Sequence, residues 1–222
     1  MGALFQREID ALDATAIVEH REVFLENGMN MRALFKSIMS DSHYRGGPGN
    51  VDEKIADVKM LNPDQLVASI ADLTGFKWSY GGYPMLQNDQ IGLQTLAGAA
   101  DGRTVASNAT SPNATMALVH ARIAELSSFY AIERESEMPA SERMLFRYVE
   151  PSQPFNLDPE ASVAQIRHLH RRILSRTVED SGPEVDANRL LWQALYEAGG
   201  DPSTAWAGVL TALLRDPTFL MY

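Results

Sequence analysis

MLNPDQLVASIADLTGFKWSYGGY, residues 60–83, decides how the rest of the chain is read. Asn62 is a strong N-cap residue, and Pro63 suits the first helical position, where its missing N–H costs nothing. Leu66, Ile70 and Leu73 then recur at helical spacing, and Gly75 supplies the left-handed residue that ends a helix. Past that stop, Phe76, Trp78, Tyr80 and Tyr83 gather around Gly81 and Gly82. A capped helix running into a glycine-hinged aromatic loop predicts a helical domain with one dense aromatic surface. Trp78, Tyr80 and Tyr83 are the candidate ligand- or partner-binding residues, because exposed rings in a Gly-rich loop can line a sugar or peptide groove. The same rings could instead fold back and seal the helices. An intermediate arrangement is expected, with Phe76 and Trp78 as the anchor and the two tyrosines nearer solvent.

The same helical grammar recurs outward from this stretch. Upstream, Phe5, Ile9 and Leu12, then Ile17, Val18, Phe24 and Leu25, carry a helical period to Gly28. Asn30 caps a second run with Met31, Leu34, Phe35, Ile38 and Met39. Gly46, Pro48 and the neighbouring glycines break the pattern. Downstream, residues 76–110 lack a clear period and predict a long loop region with at most one short helix near 89–97. From Ser111-Pro112 the longest stripe begins, Met116, Val119, Ile123, Leu126 and Tyr130, and predicts the central packing helix. Ser141 with Met144, Leu145 and Tyr148 predicts a short helix. Cap-then-proline starts at Asp158-Pro159, Asp201-Pro202 and Asp216-Pro217, with a further start at Pro183, predict the remaining helices. No run of alternating β-branched residues bounded by hairpin turns appears.

The predicted fold is therefore all-α, an irregular bundle or array of about eight helices across residues 1–222. A single domain is expected, with 46–50 as a sub-boundary that would set apart a helical pair at 1–45. The expected core comprises Leu34, Phe35, Ile38, Leu66, Ile70, Leu73, Val119, Ile123, Leu126, Ile166, Leu169, Ile173, Leu191, Leu195, Trp206, Val209 and Leu213.

Composition narrows function by exclusion. The chain has 222 residues, 45% of them hydrophobic, with a formal charge of -10 and no cysteine. A general affinity for nucleic acid is not expected from so acidic a protein, since phosphate binding needs clustered Lys and Arg. Disulfides, thiolate zinc sites, thiol nucleophiles and covalent haem attachment are excluded. No apolar run reaches the ~18 residues of a transmembrane helix. No basic stretch follows Met1, and the chain opens in helical register (ALFQREIDAL, 3–12), which reads as part of something longer.

No catalytic constellation is legible. G-x-S-x-G, the P-loop and G-x-G-x-x-G are all missing. His20, His43 and His120 sit in separate elements, and His168 and His170 are two apart, so they face different sides of one helix. They read as exposed or capping histidines, and no metal ligand set is assigned. Met31, Met39, Met116 and Met144 fit helical core faces better than a haem site. Glu133/Glu135 and Glu179/Asp180 read as solvated surface, and RHLHRR (167–172) as a solvated face or partner contact.

Three stretches carry a family likeness. LNPDQLVASIADLTGFKW (61–78) resembles a recurring L-x-P-x-Q-L, A-x-x-D-x-T-G, W pattern. RALFKSIMSDSHYR (32–45) is similar to a segment ending in S-P-A-Y-R, and AWAGVLTALLRDPTFLMY (205–222) to a W…alL-x-dP-x-Fl-x-Y ending. These mark large uncharacterised exported proteins of planctomycetes, myxobacteria and some gammaproteobacteria, often joined to cytochrome c-like segments. The resemblance implies a helical accessory region of a bacterial envelope protein, periplasmic or exported. Its partners would be other segments of the parent protein or an envelope component. It offers no catalytic residue, and this chain lacks C-x-x-C-H, so no cofactor is assigned. A non-catalytic binding or assembly module is the leading expectation. The alternatives are an enzyme with dispersed polar residues near loop 76–83 and a non-covalent metal or haem protein.

Overall fold

The computed structural model describes residues 14–41, 60–87, 92–105, 107–109 and 111–221. Among them are eight α-helices and one two-stranded ribbon, an all-α multi-helix array. The chain divides into two compact units, Met1–Lys59 and Met60–Tyr222. The helical pattern expected at 3–12 and the glycine break at 46–50 lie outside the described residues.

In the first unit, α1 (Ala14–Glu26) and α2 (Met31–Ser40) pack on each other. The turn between them uses positive φ at Gly28 and Met29. Asn30 then caps α2, its side chain accepting the Arg32 N–H at 2.9 Å. Ile38 is buried and Leu34 half-buried, one turn apart on the same side, whereas Phe35 is exposed. Phe35 was expected in the core. It lies about 100° around the helix from Leu34 and so falls off the inward stripe.

The second unit opens with α3 (Pro63–Thr74), which forms as its sequence dictates. Asn62 Oδ1 accepts the Gln65 N–H at 2.9 Å, and Gln65 Oε1 accepts the Asn62 N–H at 3.0 Å, a reciprocal capping box. Gly75 ends the helix at φ 79, and a Cβ there would sit 2.8 Å from the Arg134 guanidinium, which donates to the Thr74 carbonyl at 3.2 Å. The position therefore needs glycine twice, for its backbone and for the arginine that crosses it. After a hairpin, β1 (Ser79–Tyr80) and β2 (Tyr83–Pro84), comes the short α4 (Leu93–Leu96), the one helix expected near 89–97.

α5 (Ala114–Ser136) begins at the Asn113 cap, two residues past the expected start, and its 23 residues span roughly 34 Å. Val119, Ile123, Ala124, Ser127, Ser128 and Ala131 form its buried side. These small residues let α8 (Pro202–Leu214) lie close, and α8 also packs on α6 (Pro159–Leu174) and α7 (Pro183–Gly199). Trp206 on α8 is fully buried at the middle of an aromatic cluster, with ring centroids 5.9 Å from Phe146, Phe155 and Trp192. Leu66, Ile70, Ile166, Leu169, Ile173, Val209 and Leu213 join this core as expected. Leu73, Leu191 and Leu195 pack against it partly buried, and Leu126 is half-buried. The two ends of the unit meet: Leu61 N–H donates to the Leu220 carbonyl at 2.7 Å beside a Met60–Met221 bridge.

The short helix expected from Ser141 does not form. Residues 139–154 run as an irregular strap, and its backbone is held by side chains from the flanking helices. The Glu135 carboxylate accepts the N–H groups of Met144, Leu145 and Phe146 at 2.8–3.1 Å. Gln165 accepts the Tyr148 N–H at 3.1 Å and donates to the Leu145 carbonyl at 2.7 Å. His168 Nε2 donates to the Met144 carbonyl at 2.9 Å. Backbone groups that a helix would have paired internally are satisfied from outside, which lets Leu145, Phe146 and Val149 all turn inward. Glu135 is thus buried at 1% exposure rather than solvated.

Candidate functional site

The aromatic stretch is built outward from a buried foot. Thr74 Oγ1 donates to the Ile70 carbonyl at 2.7 Å and accepts the Phe76 N–H at 3.1 Å, fixing how the chain leaves α3. Phe76 packs on Tyr130 of α5 with ring centroids 5.6 Å apart. Both Phe76 and Trp78 are partly buried against the core, and Leu86 is buried where the chain returns.

Between these anchors the hairpin rises. Ser79 pairs with Pro84 and Tyr80 with Tyr83, and the Met85 N–H continues the ladder to the Trp78 carbonyl at 3.0 Å. Gly81 and Gly82 take φ 57 and 83, the two consecutive positive values of a primed two-residue turn. Directly opposite residues share a face of a ribbon, and alternate residues along a strand do too. Register therefore places Trp78, Tyr80, Tyr83 and Met85 on one side. Tyr80 is 78% and Tyr83 54% exposed. All three residues singled out in the sequence are thus brought together, with Trp78 at the base and the tyrosines at the tip. Chemically, this surface offers ring faces and phenol hydroxyls. Among the described residues, no carboxylate pair or imidazole is hydrogen-bonded to it.

Other polar groups do other work. His20 is buried between α1 and α2, with Nδ1 2.8 Å from Ser37 Oγ and Nε2 3.0 Å from Asp41 Oδ2. The Asp41 contact is out of hydrogen-bond alignment. Ser37 lies inside α2, where its own N–H serves the helix. The trio ties two helices together. His120 is buried on Phe219, with the rings 6.2 Å apart and nearly parallel. Burial, reinforced by the Arg215 charge, pushes its pKa down to about 4. His170 is also buried, and burial lowers its pKa. The Asn188 amide donates to the Glu184 carbonyl and to His170 Nε2, both at 2.8 Å, so Nε2 accepts and Nδ1 carries the proton. His20, His120 and His170 are therefore structural and buried, not exposed or capping. His168 and His170 do face different neighbours, as their spacing required, and His43 lies outside the described residues. Among the described residues, no three His, Asp or Glu side chains are grouped to hold a metal. None of their helices is long and apolar enough to cross a membrane.

One concave surface escaped the sequence reading. A groove of about 610 Å³ runs between α5, α7 and α8, lined by Leu118, Phe129, Leu191, Leu195 and Arg215 among others. Leu118 and Phe129 sit off the predicted α5 stripe, so the periodicity gave them no role. At its floor Gly208 admits Leu195, whose Cδ1 would lie 2.1 Å from a Cβ there. Comparison of the chain with protein-family models, curated proteins and solved structures yields no match.

Proposed function

We propose that the protein is a non-catalytic binding or assembly module that uses the 78–85 hairpin face as its recognition surface. The observation that carries this reading is the Tyr80–Tyr83 pair, held in the open by a primed turn on a buried foot. Nothing in the fold requires those rings outside: they bury little, so removing them costs the structure little. Rigid aromatic platforms stack on the apolar faces of sugar rings and on peptide planes at small entropic cost. The likeness of three segments to exported envelope proteins favours a ligand or partner in the bacterial envelope, including other segments of a parent protein. An enzymatic reading would need polar groups converging on the hairpin, and the described contacts supply none.

Co-sedimentation with purified peptidoglycan tests the proposal. The wild-type chain is expected in the pellet. Tyr80→Ala/Tyr83→Ala is expected to lose affinity by roughly tenfold or more while keeping its melting temperature, as exposed aromatic anchors do. Equal retention of both proteins would refute the hairpin as the binding face.

A further inference from the structure

The hairpin has two outer edges, and the sequence closes only one of them. Along an antiparallel pair, residues that bond across the ladder alternate with residues whose N–H and C=O point away from it. The primed turn makes Tyr80–Tyr83 a bonded pair, and the Met85 N–H to Trp78 carbonyl bond marks the next one. The main-chain groups of Ser79 and Lys77 therefore point outward from one strand, and those of Pro84 from the other. Pro84 has no N–H, so the β2 edge lacks a donor there, a common guard on an open edge. The β1 edge has no such guard. Lys77 and Ser79 are both exposed, and among the described residues no backbone partner takes their N–H or C=O. By the same alternation Lys77 lies on the face opposite the rings, and among the described residues its ammonium has no ion pair.

We infer that an extended peptide adds to this edge as a third strand, with apolar residues beside Trp78 and Tyr80 and an acid beside Lys77. Backbone bonds to Ser79 and Lys77 supply the affinity, and the two faces of the ribbon supply the selectivity. Peptide residues opposite Trp78 and Tyr80 share the ring face, where they pack on the two aromatics. The residue opposite Lys77 falls on the other face, within reach of its ammonium. An antiparallel peptide thus reads apolar, any, apolar, acid from its N-terminal end. A glycan has no row of alternating amide donors and carbonyl acceptors at strand spacing, so the open edge favours a peptide. The inference rests on the hairpin being the recognition surface, and it names the class of partner that surface takes.

Fluorescence anisotropy of the full chain with a short labelled peptide repeating valine, threonine, valine, glutamate tests it. Binding with a dissociation constant below about 1 mM is expected. Ser79→Pro removes an outward N–H that the hairpin ladder does not use. It should weaken binding roughly tenfold or more at an unchanged melting temperature. In the added strand the threonine and glutamate nitrogens face Ser79 and Lys77, whereas the valine nitrogens face away. N-methylation of the threonines and glutamates should therefore abolish binding, and N-methylation of the valines should leave it. No binding of the unmethylated peptide overturns the inference, as does a Ser79→Pro protein that binds like wild type. So does equal binding of the two methylated peptides, or a dimer formed through this edge in place of peptide binding. Peptide binding lost in Tyr80→Ala/Tyr83→Ala but kept in Ser79→Pro would overturn the added strand alone. Equal retention of wild type and the double tyrosine variant on peptidoglycan would instead remove the hairpin face itself.

Discussion

Replacing Glu135 should damage the protein far more than its place in an acidic helix end implies. Its two oxygens receive three backbone N–H groups from the 139–154 strap: Oε1 takes Met144 and Leu145, and Oε2 takes Leu145 and Phe146. Leu145 and Phe146 are fully buried, and Met144 is half-buried. Leaving one buried donor unsatisfied costs about 1–3 kcal/mol. Glu135→Ala strands two such donors and a partial third, a loss of roughly 3–6 kcal/mol against a total stability of about 5–15 kcal/mol. Glu135→Gln keeps the shape and one oxygen. Keeping the oxygen that serves Leu145 and Phe146 sacrifices only the half-buried Met144 bond, so the loss should be about 1–3 kcal/mol. Glu133, two residues away, faces solvent, and Glu133→Ala should change stability by less than about 0.5 kcal/mol. Equilibrium unfolding in urea, followed by the emission of Trp192 and Trp206, measures all three. The required order is Glu135→Ala worst, Glu135→Gln intermediate and Glu133→Ala silent. A Glu135→Ala protein within about 0.5 kcal/mol of wild type, at the same denaturant slope, would refute the reasoning.

Ile123→Ala should cost about 2–5 kcal/mol, because Ile123 is 1% exposed in the face that α5 turns to the core; thermal unfolding checks it, and an unchanged melting temperature would contradict that packing. The pH dependence follows from His120. Its folded pKa, about 4, lies below the ordinary 6.5, so the unfolded chain binds the proton first as pH falls. Stability is then full above about pH 6.5 and declines toward pH 4, by about 2 kcal/mol at pH 5. His170 shifts in the same direction and adds to the slope. His120→Phe should flatten the urea midpoint between pH 7 and pH 5, and a slope equal to wild type would exclude His120 as the cause. Iodide should quench one class of tryptophan only. Trp192 and Trp206 are shielded in the core, so the accessible emission belongs to Trp78 and should vanish in Trp78→Phe.

Much of the fold was legible because helix ends are local chemistry. Asn30, Asn62, Asp158, Asp201 and Asp216 each accept backbone N–H groups where the sequence placed a start. Gly75 and Gly200 end helices in the left-handed conformation. These signals need only three or four neighbouring residues, so a lone sequence displays them. The 139–154 strap was not legible for the converse reason. Ser141, Met144, Leu145 and Tyr148 have helical spacing, but the partners that straighten their backbone, Glu135, Gln165 and His168, come from two other helices. One clue was present. Glu133 and Glu135 are two apart and so point to different sides of α5, the same geometry that separated His168 from His170. The spacing lets one of the two glutamates face the core while the other faces solvent, as Glu135 and Glu133 do.

The glycine hinge was legible but the strand pairing around it was not, since residues 76–83 read as a loop, and the reason bears on what the ribbon is for. Gly81-Gly82 between two tyrosines is a turn signal strong enough to work without tertiary help, since both residues must take positive φ. A two-stranded ribbon this short is not stable alone. It persists because Phe76, Trp78 and Leu86 pin its base to the helical array. That division of labour separates the residues that hold the ribbon from those that finish it. Were Tyr80 and Tyr83 needed for folding, they would be found inward beside Trp78, on the face that register gives all three. They stand beyond it, in water, on a base already secured by other residues. The α5/α7/α8 groove shows the contrast. Leu118 and Phe129 carry no local signal, and only the placement of α7 and α8 turns them into one surface.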